Sequence, residues 1–167
     1  MKTVRLRAIE PEDLDLLYRI ENDQELWAQG VVNVPYSRYV LHDYVANASG
    51  DIYADGQVRL IVETEDGQTV GIADLVNFDA KNNRAELGVI IERPFRCQGY
   101  GSQALQQLAR YASRIVHLHQ LYAYVSADNA ASLALFSKLG YVRQFVLTDW
   151  LYDGHSYHDA VLIQKIL

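Results

Sequence analysis

The chain has little cysteine, little proline and too few positive charges to balance its acids. Cys97 is the only cysteine in 167 residues. That excludes a disulfide framework and any metal site built on several thiolates. With three prolines and ten glycines, no low-complexity tract or linker divides the sequence, and no repeat is visible. Lysine and arginine number 15 against 21 acidic residues, for a formal net charge of -6 and a pI near 5.3. A general nucleic-acid binder is usually basic, so the balance argues against that class. It slightly favours a cationic substrate such as an amine. No apolar run approaches membrane-span length, and the N-terminus lacks a signal-type apolar segment. The expectation is a cytoplasmic protein with no nucleic-acid or membrane partner.

Half of the residues are hydrophobic, enough for one domain over residues 1–167 with a proper core. Alternation from Thr3 to Ile9 predicts a strand. Glu10-Pro11-Glu12-Asp13 then opens a helix, with proline near its first position and acids in its first turn. Gln29 to Pro35 reads as irregular. Ser37 to Ala48 has helical spacing, with Gly50 beyond its end. Val58 to Glu63 and Thr69 to Phe78 read as strands joined at Glu65-Asp66-Gly67. A strand from Ala85 to Glu92, a helix from Gln103 to Val116 and a strand from Leu121 to Val125 follow. Asp128 to Leu139 is a helix capped by Ser126 or Asp128 and closed by Gly140. Val142 to Tyr152 and Ser156 to Ile166 form a hairpin around Asp153-Gly154. The order is β-α-α-β-β-β-α-β-α-β-β, an α/β domain with a mixed sheet.

The richest segment is Glu86-Leu-Gly-Val-Ile-Ile-Glu-Arg-Pro-Phe-Arg96-Cys-Gln-Gly99-Tyr-Gly101-Ser102. An apolar strand runs into Arg-x-x-Gly-x-Gly and then a helix. Glycines let the backbone turn tightly so that N–H groups converge on an anion. The helix start adds free N–H groups and the positive end of its dipole. Arg96 supplies a charge, and the expected ligand is a pyrophosphate. A dinucleotide fold requires three glycines in Gly-x-Gly-x-x-Gly, and a nucleotide-triphosphate loop requires Gly-Lys-Ser/Thr; neither is present.

This turn, together with Asn129-Ala-Ala-Ser132-Leu-Ala-Leu-Phe136-Ser-Lys-Leu-Gly140-Tyr141 and the element order, resembles the GNAT superfamily of acyl-CoA-dependent N-acyltransferases. The two motifs are similar to the family's Gln/Arg-x-x-Gly-x-Gly/Ala turn and its Asn-x-x-Ala-x-x-x-Tyr-x-x-x-Gly-Phe helix. Ala85-Glu86, Trp27 with Pro35-Tyr36, and Asp153-Gly154 are most similar to the branch of ribosomal-protein N-terminal and spermidine acetyltransferases. The resemblance implies a mixed, mostly antiparallel central sheet. It also implies direct acetyl transfer from acetyl-CoA, as co-substrate and without a metal, to a primary amine: a protein N-terminus, a small amine or a polyamine. It places the pantetheine arm along Val89, Ile90 and Ile91. The pyrophosphate falls on Arg96, Cys97, Gln98, Gly99, Tyr100, Gly101 and Ser102. Asn129, Ser132 and Phe136 lie beside the arm, and a backbone N–H at Ile90 or nearby polarises the thioester carbonyl.

An alkyl amine is mostly protonated at neutral pH, so a carboxylate that takes its proton assists attack. Glu86 is the candidate catalytic residue. It shares a strand face with Gly88, which leaves room for a ligand; a paired, partly exposed strand residue fits the pattern equally. Asp74 interrupts an apolar strand and either binds the substrate ammonium or pairs with an internal arginine. Trp27, Tyr36, Tyr39 and Tyr44 line the acceptor pocket or cap the core. The family commonly has a tyrosine acid where this chain has Phe136, which has no proton to give. A non-catalytic acyl-CoA sensor or interaction module is therefore the second reading. The acidic pair of spermidine acetyltransferases is not evident after Trp27, where Ala28 and Gln29 stand. Cys97 lies too near the phosphates for a covalent role. His117 and His119 have i, i+2 spacing but no third metal ligand. The final hairpin and the sheet edges offer homodimer surfaces.

Overall fold

The computed structural model of the chain describes residues 3–27 and 34–167. Its strands are β1 (Val4–Ala8), β2 (Val58–Thr64), β3 (Thr69–Asp79), β4 (Arg84–Ile91), β5 (Gln120–Ser126), β6 (Val142–Tyr152) and β7 (Tyr157–Ile166). Its helices are α1 (Leu14–Glu21), α2 (Gln24–Trp27), α3 (Arg38–Asn47), α4 (Ile52–Asp55), α5 (Tyr100–Arg114) and α6 (Ala130–Lys138). The strands form one seven-stranded sheet in the order β1-β2-β3-β4-β5-β7-β6. All described pairings are antiparallel except β4 with β5, which are parallel. The α5 crossover explains that exception, since parallel neighbours need a long connection.

Helix α5 buries Ala104, Leu105, Leu108 and Ala112 on one face of the sheet. There they join a core with Val62, Val70, Ala73, Leu75, Ala85, Leu121 and Ile163. Helices α1 and α3 cover the other face of the first strands, where Leu16, Leu17, Ile20 and Leu41 meet Ile61 and Ile72. The edge strand β1 is tied to α5. Val4 N–H donates to Gln103 Oε1 at 3.1 Å and Leu6 N–H to Gln107 Oε1 at 3.2 Å. These side chains satisfy amides that an edge would leave unpaired.

Three details differ from the sequence reading. Helix α5 starts at Tyr100, not Gln103, because left-handed Gly99 (φ 83°) turns the chain straight into the helix. The α6 cap is Asn129 rather than Ser126 or Asp128. Its Oδ1 accepts from Ser132 N–H at 3.1 Å, the geometry of an N-cap. The one-turn helices α2 and α4 were not expected, being too short for a periodic signal. The irregular stretch from Gln29 to Pro35, with Ala28, lies almost entirely outside the described residues. Left-handed Gly140 (φ 83°) closes α6 as expected.

Candidate active site

Strands β4 and β5 pair only through Arg84–Gln120, Ala85–Leu121 and Glu86–Tyr122. Beyond Glu86, β4 stays with β3 as far as Ile91, while β5 stays with β7 as far as Ser126. The sheet therefore opens into a fork. Two contacts fix which backbone groups face it. Glu92 N–H donates to the Val70 carbonyl at 2.9 Å, and the Ile90 carbonyl lies against Gly71, so tightly that a Cβ there would sit 2.0 Å from it. Both are on the β3 side. Polar groups alternate along a strand, so those of Val89 and Ile91 face the fork and those of Ile90 do not. Arg96 Nε donates to the Ile91 carbonyl at 2.9 Å, on that open side.

The turn after β4 has the backbone geometry of an anion cradle. Cys97 (φ 59°) and Gly99 (φ 83°) are both left-handed. The first hydrogen bond of α5 runs from Gln103 N–H to the Gly99 carbonyl at 3.2 Å. The N–H groups of Tyr100, Gly101 and Ser102 precede it and have no acceptor within the helix. They carry the positive end of the dipole of a 15-residue helix. A Cβ at Gly101 would lie 3.6 Å from Ile91 and 3.7 Å from Leu135, so α5, α6 and the end of β4 converge here. The Tyr100 side chain is core, leaving only its backbone for a ligand. Cys97 is exposed. These features fit a pyrophosphate.

Glu86 and Gly88 lie on the sheet face away from α5, opposite Val76 and Asp74 of β3. A Cβ at Gly88 would meet nothing within 4 Å. Asn77 Nδ2 donates to Glu86 Oε2 at 2.8 Å. Tyr122 flanks Glu86 from β5, and burial together with the Glu86 charge pushes its phenol up. Asp74 accepts from Arg59 at 2.9 Å, and Arg59 also bonds Glu21. Of the two alternatives for Asp74, the structure has the ion pair with an internal arginine. Glu21, Arg59 and Asp74 lie beside the open position, with the Tyr44 ring 5.7 Å from the Arg59 guanidinium carbon.

On α6, Phe136 is buried and meets Tyr141 edge-on, with ring centroids 5.1 Å apart. The Tyr141 hydroxyl is buried without a partner among the described residues, and desolvation raises its pKa well above the phenol range. Beyond α1, Trp27 Nε1 donates to the Glu21 carbonyl at 2.8 Å. Tyr36 is held by Asn22, which accepts from Tyr36 N–H at 2.8 Å and donates to its carbonyl at 3.0 Å. Both residues are thus tied to the end of α1, which carries Glu21. The sequence reading missed Asn77, Arg59 and His158. Asn77 was the traceable one, a polar residue inside a strand pattern and of a type that tolerates left-handed backbone. His158 bonds Asp128 at 3.0 Å and Asp153 at 2.7 Å, pinning the β6–β7 tip to the start of α6. Among the described residues, no group of three or more His, Cys, Asp or Glu is placed to hold a metal.

A family model for the acetyltransferase (GNAT) domain matches residues 3–142. The chain belongs to the GNAT acetyltransferases. This GNAT protein is 26% identical over 160 residues to a spermidine N(1)-acetyltransferase of Escherichia coli (strain K12), covering 95% of the chain and 83% of the relative. It is 27% identical over 162 residues to a putative ribosomal N-acetyltransferase of Bacillus subtilis (strain 168), covering 95% and 88%. Among solved structures, spermidine N-acetyltransferase from Vibrio cholerae in complex with CoA and spermine superposes with a TM-score of 0.90 over 98% of this chain and 95% of that one. At 20% identity that shows a shared fold. The seven-stranded mixed sheet is the GNAT fold, and the enzyme is an N-acetyltransferase that uses acetyl-CoA.

Proposed function

We propose that the enzyme acetylates a primary aliphatic amine in the cytoplasm, by direct attack within a ternary complex with acetyl-CoA, and that residues 1–167 form one acetyltransferase domain. The observation that carries this reading is the fork, with an anion cradle at its end and Glu86 and open Gly88 on one face at its root. Acetyl-CoA supplies an acyl group already activated as a thioester. The turn from Cys97 to Ser102 holds its pyrophosphate, with Arg96 alongside, and Asn129 and Ser132 flank the pantetheine arm. The fork-facing N–H groups of Val89 and Ile91 are the donors suited to the arm and to the carbonyl oxygen. Ile90 contributes its side chain to the packing under α1.

An alkyl amine with a pKa near 10.4 is neutral in fewer than about one molecule in a thousand at pH 7. Glu86 receives its proton, directly or through one water, as the amine attacks. Phe136 gives no proton to the departing thiolate; with thiol pKa values around 8.5, thiolate needs little such help.

Glu21, Asp74 and Glu86 set against Arg59 leave the acceptor side with a formal excess of two negative charges. That supports a cationic acceptor, and a relative named for spermidine supports a polyamine first and a protein N-terminus second. Self-association through β6 is supported by its exposed apolar residues, including Phe145 and Trp150, and by a dodecameric structure of the Vibrio cholerae spermidine N-acetyltransferase.

The test is free-thiol release from acetyl-CoA across polyamines, small amines and N-terminal peptides. Turnover is expected with spermidine-type amines. CoA binding in a thermal-shift assay without turnover on any acceptor would sink the enzymatic reading. It would favour the acyl-CoA sensor, the alternative that Phe136 supports.

A further inference from the structure

We infer that Asn77 is a positioning residue for Glu86, and that the β-bulge carrying it aims its amide at that carboxylate. This rests on the reading of Glu86 as the proton acceptor. The β3–β4 register steps evenly from Gly71–Ile91 to Val76–Glu86, then breaks and resumes at Asp79–Arg84. Asn77 and Phe78 of β3 thus stand against Ala85 alone of β4, one residue in excess. Bulges of this kind re-aim side chains beside active sites. Asn77 adopts φ 50°, a left-handed conformation that asparagine accepts more readily than most residues.

The bulge is held from behind by Phe78. Its N–H donates to the Gly56 carbonyl at 3.1 Å, and its ring meets Tyr53 edge-on at 5.1 Å. With Phe78 anchored away from the site, Asn77 turns towards it and places Nδ2 2.8 Å from Glu86 Oε2. Among the described residues, this amide is the one hydrogen-bond donor to the Glu86 side chain. Oε1 has no donor among the described residues. The other ionisable groups nearby have roles of their own. Tyr122 flanks from β5, Arg84 pairs with Asp79 at 3.1 Å, and Asp74 pairs with Arg59. The amide of Asn77 therefore fixes one carboxylate oxygen and leaves the other to meet the amine.

Two variants separate the amide from the backbone. Asn77→Gly keeps the left-handed turn and removes the donor. Asn77→Asp keeps the shape and replaces the donor with a like charge. With saturating acetyl-CoA and an acceptor that turns over, Asn77→Gly is expected to lower kcat about 10-fold, since small misplacements of a reacting group cost rate steeply. The KM for acetyl-CoA is expected to stay unchanged. Asn77→Asp is expected to move the acidic limb of the kcat/KM profile to higher pH, because a like charge beside Glu86 favours its protonated form. Wild-type kcat in Asn77→Gly together with a wild-type pH profile in Asn77→Asp would overturn the inference. Glu86→Gln separates the two readings. If it keeps wild-type kcat, the reading of Glu86 fails and takes Asn77 with it. If it collapses while both Asn77 variants stay normal, only the inference about Asn77 fails.

Discussion

The part of the sheet built on β2 and β3 is covered on both faces, whereas the part from β5 to β7 is covered mainly on one. In the first part Ile61, Val62, Val70, Ile72, Ala73 and Leu75 are all at 0% exposure. They lie between α5 on one side and α1 and α3 on the other. In the second part the face towards α5 and α6 is buried through Leu121, Val161 and Ile163. The rest is open. Strand β6 buries only Leu151, and it exposes Phe145 by 63%, Val146 by 57% and Trp150 by 55%. The first part is built for stability. The second presents apolar surface that a monomer rarely leaves bare. The candidate active site lies on the seam, where the two parts share only three residue pairs. Few pairings there allow the fork to open without disturbing either core.

This contrast can be broken by mutation, and the largest effect is expected in the covered part. Leu17→Ala removes a fully buried side chain between α1 and the sheet. It should cost about 2–5 kcal/mol in chemical denaturation. A loss under 1 kcal/mol would mean that the two-sided burial contributes little.

At the seam, Gly99→Val forces a β-branched residue to φ 83°. Left-handed backbone costs such residues at least about 1–2 kcal/mol, so acetyl-CoA affinity by calorimetry should fall by about 5–30-fold or more. Unchanged affinity would remove the turn from the binding site.

In the open part, Phe145→Ser with Val146→Ser should change monomer stability by less than about 0.5 kcal/mol per site, as exposed positions do. The same pair should lower the oligomeric state seen by sedimentation. A large stability loss with an unchanged state would contradict the contrast.

The smallest effect concerns His158. Its pKa is raised above 6.5 by the hydrogen bonds it donates to Asp153 and then Asp128. A histidine whose folded pKa is raised stabilises the fold fully below its unfolded pKa, and that contribution is lost as pH rises through the folded value. Thermal midpoints should therefore decline slightly above about pH 6.5. His158→Gln should flatten that decline; an identical slope in the variant would show that the tip is held otherwise.

Much of this arrangement was legible in the sequence, for identifiable reasons. Strict alternation gave the strands, and Gly67, Gly99 and Gly140 marked turns because their left-handed backbone suits glycine. The turn before α5 was legible because its glycine spacing lets the chain reverse straight into a helix. The state of Asp74 was not, because its partner Arg59 is 15 positions away and pairs only through the β2–β3 register. Asn77 and Glu86 meet because of a single extra residue in β3; Asn77 stands out locally as a polar residue in a strand pattern, but only the β3–β4 register shows the bulge. His158 finds Asp128 from 30 positions away.

The sequence by itself determined the order of the main elements, the acidic balance and the glycine turn after β4, because each depends on residues close together in the chain. Tertiary structure decided which charges are neutralised, which backbone groups face the fork and what holds Glu86. Those depend on strand register and on where pairing stops, and both are set by packing between segments far apart in sequence.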